Sequence, residues 1–183
     1  FFGVIFLQNL VLTATMLLWI NVVTDGIPAV ALGLDRAEKG IMHYSPRAFQ
    51  TQIISRRLWI EMFIFGIFLS VFVLGAYMLN LKDSMRDAQS AAFTALVVFE
   101  LVSIYLIRSG YRVAFFSNKW LMISILVTFS LQLMILYIPF LANIFSVSPI
   151  GLDDWLFIGL ASLWLFFAFK LIRIALDKIL PRD

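Results

Sequence analysis

The sequence predicts an all-α fold: a polytopic membrane helical bundle with five full transmembrane helices plus the tail of a preceding one. Three observations carry that prediction. Of the 183 residues, 62% are hydrophobic and only 14% charged, with a mean hydropathy of +0.98, far from the balance of a water-soluble domain. Five apolar stretches, at 11–33, 59–80, 89–107, 120–142 and 155–176, each approach or exceed the roughly 20 residues a helix needs to cross the hydrocarbon core. They are rich in Leu, Ile and Phe without strict alternation, so their backbone groups are satisfied inside helices rather than in barrel strands. The whole chain, 1–183, reads as a single transmembrane domain.

Residues 1–8, FFGVIFLQ, are apolar but too few to cross, and are expected to be the end of a helix that begins upstream. They have neither a basic n-region nor a small-residue cleavage site, so they do not read as a signal peptide. The first full span contains Asn21, Thr24, Asp25, Gly26 and Pro28. Gly26 loosens the backbone, and Pro28 has no N–H for the carbonyl of Thr24 and clashes with it, so a break is expected here. The loop 34–58 is the one sizeable polar connection, too short for a catalytic domain but long enough to dock against one. Glu61 stands two residues into the second span, where its side chain is expected to snorkel. NLKDSMRDAQS and NIFSVSPIGLDD read as short loops with Asn, Ser, Pro and Gly as breakers. The third span carries Glu100. The fourth carries Thr128, Ser130 and Gln132, a set expected to act as interhelical glue. Asp153 or Asp154 is placed to cap the last helix, and Trp155 to anchor it.

Orientation follows from the basic residues, because the side of the membrane with the excess of Lys and Arg is cytoplasmic. The loop 34–58 holds Arg36, Lys39, Arg47, Arg56 and Arg57, the connection 108–119 holds Arg108, Arg112 and Lys119, and the tail holds Lys170, Arg173, Lys178 and Arg182. The alternate connections hold only Lys82 and Arg86. Both loops and the C-terminus are therefore expected inside. The net charge of +3 reflects this asymmetry. Basic residues scattered among helix ends form no single patch, so nucleic acid is not an expected partner.

A charged side chain at the centre of a membrane helix costs about 2.5 to 3.5 kcal/mol, so a carboxylate there is a functional candidate by default. Asp25 and Glu100 both lie near the midpoints of their spans. Asn21, Thr24 and Asp25 stand at i, i+3 and i+4, the spacing that shares one face of an α-helix. Carboxylate, amide and hydroxyl oxygens suit Ca²⁺, which takes six to eight of them at about 2.3 to 2.6 Å, or Na⁺ and protons, but not soft ions. With no cysteine, and its only histidine, His43, in a loop, the chain offers no thiolate or imidazole metal site. Asn21, Thr24, Asp25 and Glu100 are the candidate metal ligands. Together they offer about six oxygens, fewer than a complete Ca²⁺ shell once geometry is imposed.

LLWINVVTDGIPAVALGLD closely resembles the sixth transmembrane helix of type II P-type ATPases, the calcium pumps of the sarcoplasmic-reticulum kind and their prokaryotic relatives, in the pattern W-[IV]-N-[LV]-[VI]-T-D-G-x-P-A-x-A-L-G. GIM followed by SPR is similar to that family's next loop, with its paired prolines reduced. FELVSIYLIRS resembles the eighth helix and LDDWLFIGLASL the start of the tenth, so the resemblance covers helices six to ten plus the tail of five. It implies that Asn21, Thr24 and Asp25 are ion ligands, with Asp25 able to bridge two sites, and that Glu100 belongs to the first. Sodium/potassium pumps carry a second aspartate where Asn21 stands, and secretory-pathway and plasma-membrane calcium pumps typically carry Met where Thr24 stands, so the resemblance favours the two-site calcium pattern.

No D-K-T-G phosphorylation motif and no T-G-E loop occurs in the chain, so it holds no ATP-hydrolysing residues and no catalytic site of its own. The resemblance implies that ATP and Mg²⁺ act through cytoplasmic domains outside this sequence, that residues 34–58 contact the phosphorylation domain through Arg36, Lys39 and Arg47, and that lipid and the upstream transmembrane helices complete its surroundings. The expected function is the cation-binding transmembrane part of an ATP-driven Ca²⁺ pump, a translocase, with proton countertransport. A carboxylate left dry without its cation takes up a proton. Two rivals stand beside it: a fragment of a secondary cation/proton antiporter using the same carboxylates without ATP, and a non-transporting membrane scaffold.

Overall fold

The computed structural model describes residues 9–34, 56–108 and 118–179, with the side chains of 56, 57, 107 and 177–179 left aside. Most of these residues are helical, with five spans long and apolar enough to cross a membrane. The expected preceding helix tail at 1–8 and most of the loops 34–58 and 108–119, with Arg36, Lys39, His43 and Arg47, lie outside the described residues. The first span is composite: α1 (Ala14–Trp19), a π-helical turn π1 (Ile20–Asp25) and α2 (Gly26–Gly33). It is followed by α3 (Arg56–Asn80), α4 (Met85–Arg108), α5 (Lys119–Tyr137), the short α6 (Pro139–Phe145) and α7 (Leu152–Ile179).

Two boundaries differ from the sequence expectation, for backbone reasons. The fourth span was expected to run to residue 142, but α5 stops at Tyr137. Ile138 is extended, at φ −90° and ψ 114°, as the residue before a proline prefers, and Pro139 then starts α6 where a missing N–H costs nothing. Most of NLKDSMRDAQS is helix rather than loop. The turn is confined to 81–84, and Ser84 caps α4 by accepting from the Asp87 amide at 3.0 Å while its hydroxyl donates to Asp87 Oδ2 at 2.6 Å. At α7 the capping expectation holds for Asp154, whose Oδ2 accepts from the amide of Gly151 at 3.0 Å, the reciprocal arm of a capping box. Asp153 is exposed.

α4 is the axis of the bundle: 56% of its span is buried, against 17 to 33% for the others. Its small side chains explain this. Ala88, Ala91, Ala92 and Ala95 are fully buried and let neighbouring backbones approach closely. α3 and α7 pack on α4 and on each other, along an aromatic seam in which Phe72 meets Phe99, Phe157 and Trp164 edge-on. α2 lies along α5. Buried Asn118 ties the two together: its side chain caps α5 through the Leu121 amide at 3.1 Å and donates to the Ala31 carbonyl at 2.9 Å.

Where the start of α4 meets the end of α6 and the connection after it, a polar lock holds the ends. Arg86 donates to the carbonyls of Val147 and Ala142 near the end of α6, where Ser146 turns left-handed at φ 53°. The Ala142 carbonyl also accepts from the Val147 amide at 2.9 Å, so the guanidinium reinforces a helix end that is already closed. Ser148 donates to the Asp87 carboxylate, and its amide donates to Ser90 at 2.8 Å.

Glu61 does not snorkel. It is buried and paired with Arg173 of α7 at 3.1 Å, whose guanidinium also donates to the Leu106 carbonyl of α4 at 2.9 Å and lies over the Phe169 ring. A charge this far from water is stable only with its partner. Arg173→Met is expected to destabilise the bundle by about 3 kcal/mol in thermal denaturation in detergent. The double variant Glu61→Leu/Arg173→Met should regain at least half of that loss, since no charge is then stranded.

Candidate cation site

The four residues singled out from the sequence fall on two elements in direct contact. Asn21, Thr24 and Asp25 belong to π1, Glu100 to α4, and π1 packs on α4. Pro28 cannot supply the α-helical partner of the Thr24 carbonyl, and the hydrogen-bond register is widened to i→i+5 in the turn just before it. The break expected in the sequence is thus a π turn, not an unwound stretch. Gly26 has ordinary helical angles, φ −64° and ψ −50°, and a Cβ there would only reach van der Waals contact with the Asn21 carbonyl oxygen at 3.8 Å. The break belongs to the proline.

The wider turn also changes which side chains share a face. At i, i+3 and i+4 the three polar residues were expected to form one stripe, which holds for 3.6 residues per turn but not for a π turn. Thr24 points into the bundle with 1% exposure, while Asn21 and Asp25 lie on the side that the described helices leave uncovered. Asn21 Nδ2 donates to the Leu17 carbonyl at 2.9 Å, which leaves Oδ1 as the acceptor not engaged in that bond. Asp25 adjoins Thr24 in the chain, and Glu100 is half-buried on α4, the helix on which π1 packs.

Three buried oxygens in this region have no hydrogen-bond partner: Thr24 Oγ1, Glu100 Oε2 and Thr128 Oγ1 of α5. Their depths follow from the hydrogen bonds between helices. Gln132 of α5 bonds both Trp19 Nε1, at 3.1 Å, and Thr94 Oγ1, at 3.4 Å, which fixes one level across three helices. Toward the Asn118 end, Thr24 is five residues from Trp19, Thr128 four from Gln132, and Glu100 six from Thr94. That is about 6 to 9 Å in each case at the helical rise. By this count the residues that carry the unpartnered oxygens lie at similar depth along their helices. Unmatched polar atoms cost free energy in an apolar interior, and their gathering at one depth is the feature that packing alone does not explain. Hydroxyl and carboxylate oxygens are hard donors, able to hold a hard cation or a proton. Among the described residues no group of three or more His, Cys, Asp or Glu stands together.

Gln132 acts as interhelical glue, as expected. Ser130 does not, being exposed, and Thr128 belongs to the unpartnered layer. A signal for this was present: Ser124, Thr128 and Gln132 are spaced by four, all buried, which is one face of α5.

Fold and site together define a class: a polytopic helical membrane protein with a layer of unmatched hard oxygens inside its bundle. Comparison with known proteins gives the family. The model of the cation-transporting ATPase C-terminus matches residues 9–175. A calcium-transporting ATPase of Bacillus subtilis is 31% identical over 169 residues, covering 88% of this chain and 19% of that protein. Calcium-transporting ATPase type 2C member 2 of Homo sapiens is 30% identical over 162 residues, 82% of this chain and 17% of its own length. A probable calcium-transporting ATPase of Trypanosoma brucei brucei is 28% identical over 172 residues, 78% of the chain and 17% of its length. The chain belongs to the P-type cation-transporting ATPase family, of which it carries the C-terminal transmembrane part. It spans less than a fifth of the length of these relatives.

Because Thr128 Oγ1 has no partner, Thr128→Val keeps the shape and removes only the unmatched hydroxyl. Thermal unfolding should show a stability unchanged or raised by about 1 kcal/mol. A clear loss would mean that the hydroxyl is engaged after all.

Proposed function

We propose that this chain supplies one wall of the ion site of an ATP-driven Ca²⁺ pump, with Asn21, Thr24, Asp25 and Glu100 as metal ligands and Ca²⁺ as the transported substrate. The observation that carries the reading is the set of buried oxygens left without a protein partner, Thr24 Oγ1 and Glu100 Oε2 among them, on two elements that pack on one another. The uncovered side of π1 supports it further. Asn21 and Asp25 face where other helices of a longer pump would stand, and relatives named as calcium-transporting ATPases are five to six times longer than the matched segment. Oxygens from those helices would bring the shell to the six to eight that Ca²⁺ takes.

ATP and Mg²⁺ act through cytoplasmic domains outside this sequence, with residues 34–58 as their contact. The loops 34–58 and 108–119 and the C-terminus face the cytoplasm, as the basic residues indicate. When Ca²⁺ leaves, its carboxylates are left dry, and protons replace the cation as the cycle returns. The family membership weighs against the antiporter reading, and the unpartnered layer weighs against a scaffold, in which buried oxygens would be matched to neighbours.

In the complete pump, Asp25→Asn should abolish ATP-driven ⁴⁵Ca²⁺ uptake, and Glu100→Gln should raise the Ca²⁺ concentration for half-maximal uptake at least tenfold. Wild-type uptake in both would contradict the assignment. Orientation has its own check: in a pump otherwise free of cysteine, a membrane-impermeant maleimide added outside should label Lys82→Cys and not Ala37→Cys.

A further inference from the structure

We infer that Gln132 is a positioning residue, which holds the ligand-bearing turn π1 and the Glu100 helix at a fixed distance and rotation. This rests on the site assignment above. The side chain of Gln132 is fully buried, and both ends of its amide are in use: Oε1 accepts from Trp19 Nε1 at 3.1 Å, and Nε2 donates to Thr94 Oγ1 at 3.4 Å. Trp19 is the last residue before π1. Thr94 is fully buried and lies six residues from Glu100 on the same helix. One planar group of fixed length therefore joins the two elements that carry the four ligands, a little to one side of them.

The indole itself is held. Its ring meets Phe145 edge-on, with centroids 5.3 Å apart, so the Trp19–Gln132 bond fixes how the helix is turned about its axis where the π turn begins. That rotation decides where Thr24 and Asp25 point. Packing alone does not call for an amide here. The bundle core is built largely of apolar side chains, and a side chain of the same size without polar atoms would fill the space without needing two partners. What the amide adds is direction, because its two bonds are satisfied at only one separation of α1 and α4.

The test uses the complete pump in membranes and reads ATP-driven ⁴⁵Ca²⁺ uptake against Ca²⁺ concentration. Gln132→Met removes both bonds at similar volume, and Trp19→Phe removes one while keeping a ring. In each, the half-maximal Ca²⁺ concentration should rise fivefold or more with the maximal rate within twofold of wild type. The double variant should be no worse than the weaker single, since the Trp19–Gln132 bond can be lost only once. Unchanged half-saturation in both variants overturns the inference. So does a fall in maximal rate that tracks lost thermal stability with no separate change in Ca²⁺ dependence, because that is the mark of packing. If Gln132→Met does not reach the membrane, Trp19→Phe decides alone. Glu100→Gln in the same membranes separates the two ideas. If it shifts half-saturation and the clamp variants do not, only the clamp fails; if it too behaves as wild type, the site assignment fails and the clamp falls with it.

Discussion

Inside a bilayer every polar atom must find its partner within the protein, because lipid offers none. Among the described residues the structure follows that constraint in most places, the exceptions being Ser162 Oγ of α7 and three oxygens on π1, α4 and α5. Backbone groups are absorbed into helices, the ends of α5 and α6 are closed by Asn118 and Arg86, and the buried ion pair of Glu61 with Arg173 also takes in a helix-end carbonyl. Against that background, three unpartnered oxygens at one depth stand out. The departure sits beside Pro28, the residue whose chemistry prevents a regular helix.

The two features are connected. A regular helix through residues 19–28 would place Asn21, Thr24 and Asp25 on a single face. The π turn separates them, so that Thr24 reaches inward to the level of Glu100 and Thr128 while Asn21 and Asp25 stay on the open side. One short turn can thereby offer oxygens to two surroundings: the bundle described here, and whatever covers the other side. π1 packs on α4, whose buried alanines allow neighbouring helices to approach closely.

Much of this was legible in the sequence. The spans follow from length and apolarity, the break from Gly26 and Pro28, and the two carboxylates from the cost of placing charge in hydrocarbon. The kind of break was not legible, since choosing between an unwound stretch and a π turn depends on which donors the neighbouring helices leave available. Glu61 reads as an interfacial side chain because its partner is 112 residues away in sequence, and only folding brings α3 and α7 together. The stop at Tyr137 was signalled by Pro139 but masked by hydropathy that runs on through Phe140 and Leu141. Thr128 was grouped with its neighbours as glue because spacing shows which residues share a face, not which of them find partners.

The most direct measurement is the position of the bound ion in the complete pump saturated with Ca²⁺, by crystallography or electron microscopy. The account predicts ion density within about 2.3 to 2.6 Å of carboxylate oxygens from both Asp25 and Glu100, beside the π turn. Density held by other helices, with both carboxylates outside the coordination shell, would contradict it.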